Sequence, residues 1–447
     1  MSFSHKAIPG PRGLETLQTL LNYYRDPLQT FQNLRNTYGD IFQIKFWKYH
    51  IIHLTHPDDI RAVLNSPNFE ISTIFSPAEP LIGKGLATNT GEDWNHQRQM
   101  VRPAFHHESV AHYLETIEGT TRTMLARWEA CAQSQQPFDL SKDLVALNHA
   151  QLYQLLFREP LTPEDAKLLE ALKFARQYTF QRAINLISPP AFWATPTTRR
   201  FNQVVDLLNG FTYALIRKSR ATPLAQKDVL AHLIQTRDTT TGQRMTDQQI
   251  HDELMTMFFS AYEDVANVLV WAFYLLAQNP QVARALHEEV SPFAQTSLTL
   301  ETLQKLPTVS NVIAETLRLY PPTWSSLRVA RAKTQLRGYT IPKGATTLLN
   351  VYLLHRHPDY WAEPNKFDPE RFSAERTSGA DNPAYLPFGN GPRDCIADSL
   401  ALAQLKINLT LIMQKFRVSP KAGGRVGIET DATLRMRGGL LVRVANW

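Results

Sequence analysis

The order of apolar and polar residues along the chain is mainly helical. Apolar positions recurring every three or four residues predict a capped helix near Asp26 to Tyr38 and another at His56 to Asn65. They also predict long amphipathic helices near His107 to Cys131 and Thr197 to Arg220. Strand-like runs are short: Ile41 to Phe46, Ile51 to Thr55, Leu327 to Ala330, Ala345 to Val351 and Gly439 to Val444. No internal repeat and no Gly/Ser-rich linker divides the chain, so the pattern predicts a single large domain, mainly α with small β-sheets. The most informative segment runs from about Thr246 to Asn279, with a T-x-x-Q cap at Thr246 and Gln249 and Pro280 just beyond its end. As one continuous helix rising ~1.5 Å per residue it would span roughly 50 Å.

Leu254, Met257, Phe258, Ala261, Val265, Val268, Leu269 and Ala272 share one broad apolar face of that helix, and Glu263 and Asp264 sit at its middle. Carboxylates between F-F-S-A-Y and V-A-N-V-L-V-W are costly to desolvate unless hydrogen-bonded, which makes both functional candidates. The other reading is that one or both point to water from the polar side of the helix.

Composition narrows the class. Of 447 residues, 43% are hydrophobic and 20% charged, an ordinary globular balance. Two distant cysteines, Cys131 and Cys395, supply neither a disulfide framework nor a zinc set, and they fit a reducing compartment. His106-His107 and His355/His357 have no partner at a metal-binding spacing and read as surface or packing residues. The N-terminus, M-S-F-S-H-K-A-I-P-G-P-R-G, lacks the apolar stretch of a signal peptide or anchor, and no other segment offers a long charge-free apolar run. A cytoplasmic protein with no membrane anchor is expected. The formal net charge of +6 comes from dispersed Lys and Arg, which suits a solvated basic surface better than nucleic-acid binding.

Residues Phe388 to Ala397 read F-G-N-G-P-R-D-C-I-A, followed by a helical pattern through Ser399, Leu402, Leu405 and Leu409. A cysteine at a helix start has its thiolate stabilised by the helix dipole and exposed N-H groups. Gly389 and Gly391 permit the turn, and Arg393 can set a guanidinium against a carboxylate. A buried inert thiol is the alternative for any such cysteine taken alone.

With this spacing the chain resembles the cytochrome P450 superfamily, in its soluble prokaryotic-type form. The family's ligand loop has the form F-G-x-G-x-R-x-C-x-G, matched here except that Ala397 replaces the last glycine. Glu315-Thr316-Leu317-Arg318 matches the family's E-x-x-R, and Pro369-Glu370-Arg371-Phe372 its P-E-R-F. Trp94-Asn95-His96-Gln97-Arg98 resembles its W-x-x-x-R helix, and R-P-A-F follows at Arg102 to Phe105. The resemblance covers essentially the whole chain. It implies the single-domain cytochrome P450 fold over residues 1–447, with a long central helix across the haem and no fused reductase. It further implies haem b, with Cys395 as the axial ligand of the iron and Glu315, Arg318 and Arg371 as a buried ionic network beneath it. Trp94, Arg98, Arg328 and Arg393 are then candidate propionate partners, with Phe388 and Ala261 beside the cofactor.

Family members generally carry A-G-x-D/E-T in the long helix, where the acid and the threonine hydroxyl organise proton delivery during oxygen activation. Here the run is Ala261-Tyr262-Glu263-Asp264-Val265, which keeps the acid and loses the hydroxyl. Three mechanisms are compatible with these residues. A monooxygenase could deliver protons through Asp264, with Glu263 as a second candidate and water, a substrate hydroxyl or Asn267 substituting for the missing alcohol. A peroxygenase could use hydrogen peroxide, but the fatty-acid peroxygenases of the superfamily carry an Arg-Pro pair where this chain has Asp264 and Val265. A rearrangement of an already oxygenated substrate would need no dioxygen.

A monooxygenase implies separate redox partners, a ferredoxin or flavodoxin and its reductase, drawn to a basic surface. Segments near Phe75 to Leu86, Phe180 to Trp193, Phe258 to Val265, Thr323 to Leu327 and Met436 to Leu440 are implied to line the pocket, so a hydrophobic small-molecule substrate is expected of a monomeric enzyme. Trp324 either narrows the pocket or packs in the surrounding core. A non-catalytic haem sensor would suit Val265, whereas the retained Asp264 favours catalysis. A helical interaction protein without haem would be colourless.

Overall fold

A computed structural model describes residues 6–47, 49–157, 159–184, 193, 195–221, 228–376, 379–421 and 426–447. The chain divides into two compact units: residues 1–72, 311–395 and 428–435 form one, and residues 73–310, 396–427 and 436–447 form the other.

The first unit is built on a five-stranded sheet of β1 (Ile41–Phe46), β2 (Tyr49–Leu54), β3 (Phe69–Ile71), β4 (Ser326–Ala330) and β5 (Thr346–Leu349), in the order β1-β2-β5-β4-β3. β2 and β5 run parallel, with Ile51 opposite Thr346, and the other neighbours are antiparallel. One face of the sheet buries Ile41, Ile52, Leu54, Ala330 and Leu349 against Ile60, Val63, Leu354 and Trp361. The helix Pro27–Tyr38 begins where Asp26 accepts the Gln29 N-H at 3.0 Å, and Pro27 gives up no hydrogen bond at the first helical position.

The second unit is helical. Its elements used below are α1 (Gly91–Val101), α2 (Leu114–Ser134), α3 (Leu140–Phe157), α4 (Ala166–Ile184), α5 (Asp247–Ser260), α6 (Asp264–Gln278) and α7 (Asp398–Lys415). α6 is apolar on nearly all sides and is buried among α3, α7 and their neighbours, as a helix without a polar face must be. α5 opens with a capping box in which Thr246 and Gln249 satisfy each other's backbone N-H groups.

The long helix expected from Thr246 to Asn279 is interrupted. α5 ends at Ser260 and α6 starts at Asp264, leaving Ala261, Tyr262 and Glu263 outside both helices. The apolar periodicity continues through the break, so it gave no warning. The helix expected from His107 to Cys131 likewise divides, into His107–Ala111 and α2, with Tyr113 at the joint donating its hydroxyl to the Ala104 carbonyl at 2.9 Å. Among the described residues, no helix is long and apolar enough to cross a membrane.

Candidate active site

In the first unit, the loop that carries Cys395 is shaped by two glycines. Gly389 and Gly391 lie at φ of 80° and 78°, in the left-handed region that a side chain disfavours. A Cβ on Gly391 would also sit 2.8 Å from Asn65 Oδ1 and 3.0 Å from the Leu64 carbonyl, so the close approach excludes larger residues. The turn closes when the Cys395 N-H donates to the Phe388 carbonyl at 2.8 Å. Cys395 is thereby presented at an exposed position, while Phe388 and Arg393 are half-buried beside it.

The loop is supported from below. His355 is fully buried; its Nε2 accepts the Leu386 N-H at 2.9 Å, which leaves Nδ1-H to donate to the Arg318 carbonyl at 3.2 Å. Burial pushes its pKa down to about 3, so the ring is the neutral tautomer that this pattern needs. Arg318 and Glu315, both without solvent exposure, pair through two bonds of 2.6 and 2.7 Å, and Arg371 Nε lies 3.4 Å from Glu315. The remaining Arg318 donors go to the carbonyls of His355, Pro364 and Lys366, and Glu315 also takes the Asp368 N-H at 2.9 Å. Removing one member leaves a buried charge unpaired, so Glu315→Ala is expected to cost about 3–5 kcal/mol of stability. Urea denaturation of the variant checks this through a lower midpoint at unchanged slope.

Arg328, on β4, is 8% exposed, and burial lowers its pKa. Its Nη1 donates to Ser326 Oγ and the Leu327 carbonyl, both at 2.9 Å, and no carboxylate among the described residues pairs with it. A buried guanidinium without a carboxylate suits an anionic ligand group. Trp324 packs in the core, 7% exposed and stacked on Phe31, with its indole N-H on the Asp431 carbonyl at 3.3 Å.

In the second unit, Trp94 and Arg98 share a face of α1, with the guanidinium 5.5 Å from the ring centroid. The Trp94 indole N-H donates to the Leu86 carbonyl at 3.1 Å, so this aromatic ring supports Arg98 while its own donor is engaged. The segment around Leu86 is also held by two acids that the sequence did not flag. Asp252 takes the Lys84 N-H at 2.9 Å and the fully buried Glu253 takes the Leu86 N-H at 3.4 Å; burial pushes the Glu253 pKa up to about 8. Gly83 and Gly85 make this close approach possible, because a Cβ there would meet Asp252 Oδ1 at 2.1 Å and Thr256 Oγ1 at 2.0 Å. Of the segment Phe180 to Trp193, residues 185–192 lie outside the described residues.

The helix break lies in the same unit. Ala261 is half-buried, Val265 buried, and the Tyr262 ring is buried between the His149 ring, 4.3 Å between centroids, and the Arg176 guanidinium at 5.2 Å. Arg176, on α4, donates to the Phe259 carbonyl and lies 3.5 Å from Glu263 Oε1. Glu263 is therefore ion-paired rather than turned to water. Asp264 Oδ1 is buried with no hydrogen-bond partner. Burial raises the Asp264 pKa to about 7, against the pull of Arg176 and with the push of Glu263. Two adjacent acids thus differ in surroundings: Glu263 is paired with Arg176, whereas Asp264, with an unpartnered oxygen, can carry a proton near neutrality.

The cysteine on its glycine-shaped turn and the Glu-Arg-Arg network under it are built from the motifs by which the sequence resembles the cytochrome P450 superfamily. The cytochrome P450 family model matches residues 8–438, and the chain belongs to that family. It is 30% identical over 418 residues to cyclooctat-9-en-7-ol 5-monooxygenase of Streptomyces melanosporofaciens, covering 92% of this chain and 90% of that protein. Cyclooctatin synthase of the same organism is also 30% identical, over 94% of this chain and 92% of its own length. The heme domain of cytochrome P450DA has the same fold, with a TM-score of 0.90 over 99% of this chain and 98% of that one at 24% identity. The chain is accordingly a cytochrome P450 monooxygenase that uses haem.

Proposed function

We propose that the enzyme hydroxylates or epoxidises a hydrophobic small molecule, using dioxygen and two electrons from separate redox partners, with the second oxygen atom leaving as water. A ferredoxin or flavodoxin and its reductase supply the electrons to a monomeric, cytoplasmic protein whose 447 residues form one haem domain. Haem b, when bound, supplies the reductive activation of dioxygen. Cys395 would supply the thiolate that holds the haem iron, and the Gly389/Gly391 turn and His355 hold its loop. In the first unit Arg328 and Arg393 would be propionate partners and Phe388 would flank the cofactor; in the second unit Arg98, with Trp94 as its ledge, would be a further propionate partner and Ala261 a cofactor neighbour. The unpaired, buried guanidinium of Arg328 is what supports an anionic partner there.

The observation that carries the monooxygenase reading is the state of Asp264. An acid with a pKa of about 7 and an unpartnered oxygen at the helix break can hold a proton at neutral pH and give it up, in place of the hydroxyl that Val265 lacks. Burial raises the Asp264 pKa, Arg176 pulls it down and the adjacent Glu263 pushes it up.

Peroxide use is the competing chemistry. The reading predicts product with a ferredoxin system and dioxygen, and little with hydrogen peroxide alone. Turnover by peroxide with none from the electron-transfer system would overturn it.

A further inference from the structure

Two carbonyls at the break, residues 261–263, find a hydrogen-bond donor outside their own helix. In an unbroken α-helix the carbonyls of Ala261 and Tyr262 would accept from the N-H groups of Val265 and Ala266. Here both carbonyls take the hydrogens of one side-chain amide on α3, Asn148 Nδ2, at 3.0 and 2.8 Å. The first backbone bond of α6 runs from Asn267 N-H to the Glu263 carbonyl at 2.9 Å, and no acceptor among the described residues takes the N-H of Val265 or Ala266.

Asn148 is itself fixed. Gln404, on α7, donates to Asn148 Oδ1 at 3.2 Å and to Gln151 Oε1 at 2.6 Å, and Gln151 donates to Asn408 Oδ1 at 2.9 Å and Thr121 Oγ1 at 3.0 Å. All of these side chains are buried. A flipped Asn148 amide would turn its oxygen against two carbonyls and its nitrogen against a donor, so the network permits one orientation. A chain of amides thus joins the break to α7, the helix that begins three residues after Cys395.

We propose that Asn148 is a positioning residue for the oxygen reaction, holding the distal helix open so that Asp264 begins a new helix instead of lying within a continuous one. The proposal rests on the monooxygenase reading and assigns to α3 a part in it. By taking two carbonyls out of the helix, one amide offsets the loss of two backbone bonds and leaves the Val265 and Ala266 N-H groups as donors beside the valine.

The test is hydrogen exchange of the haem-loaded protein, followed by mass spectrometry, in Asn148→Leu and in Gln404→Leu. With its competitor gone, the helix closes, and exchange at Val265 and Ala266 slows by about tenfold in Asn148→Leu, the effect of roughly one added hydrogen bond. The slowing is smaller in Gln404→Leu, where Asn148 is released but present. With a ferredoxin system and no added substrate, the share of electrons recovered as hydrogen peroxide rises in both variants. Unchanged or faster exchange at these two residues overturns the proposal, because a merely structural Asn148 would loosen the segment when removed. Should Asn148→Leu fail to fold, Gln404→Leu decides alone by the same criterion. The reduced, carbon-monoxide-bound spectrum of the unmodified protein reports on the haem-thiolate reading separately, so the failure of one is distinguishable from the failure of the other.

Discussion

Replacing Cys395 by Ser leaves the polypeptide folded and abolishes monooxygenase turnover. The loop geometry is set by backbone bonds and by the glycines, which the substitution does not touch: Cys395 contributes its N-H to Phe388, and a serine N-H does the same. The thiolate is different in kind, because it would donate to the haem iron electron density that a serine hydroxyl of far higher pKa cannot provide. Far-ultraviolet circular dichroism of Cys395→Ser should therefore match the parent while product formation falls to background. Retained turnover in the variant would remove Cys395 from the chemistry.

Asp264→Asn tests the other half of the site. The side chain stays isosteric, so haem binding and fold are expected to persist, but the acid proton is gone. Loss of a positioned general acid is expected to lower dioxygen-dependent kcat by about 10²–10³-fold. The pH dependence has a defined sign. Asp264 has its pKa raised to about 7, so the proton-loaded form dominates below that value and is lost as pH rises through it. Turnover of the parent should fall on the alkaline side of about 7, and that limb should be absent from the residual activity of Asp264→Asn. Stability follows the same proton. Between the ordinary carboxyl value of 3.8 and about 7 the folded protein binds more protons at this site than the unfolded chain, so its contribution to stability declines with rising pH. The variant lacks that decline. An unaltered rate and pH profile would take Asp264 out of proton delivery.

The chain was legible where the physics is local. The run Ile41 to Phe46 is a strand with those same limits, because a short run of branched and aromatic residues is written residue by residue. The cap at Thr246, the start at Asp26 and the Gly389/Gly391 turn were equally plain, since each depends on residue types a few positions apart. Glu315, Arg318 and Arg371 were found because their spacing resembles the family's, and the structure brings all three together.

What the sequence hid are partnerships between distant segments. The break before Asp264 depends on Asn148, more than a hundred positions upstream, and the apolar face of α5 and α6 runs through it without a sign. Tyr262, in the place where the family has glycine, is accommodated because His149 and Arg176 pack around its ring. His355 was read as a packing or surface residue; it is buried and links the cysteine loop to Arg318. Nothing local in the sequence singles out Asp252 and Glu253, yet they hold the backbone at Lys84 and Leu86. The glycines at 83 and 85 were the available signal, and only the close approach of α5 gives them meaning.

The most direct measurement is the absorption spectrum of the purified protein, reduced and exposed to carbon monoxide. Thiolate ligation by Cys395 predicts the strongly red-shifted Soret band that distinguishes haem-thiolate proteins, and its loss in Cys395→Ser. A colourless protein, or a band at the position given by a nitrogen ligand, would contradict the assignment.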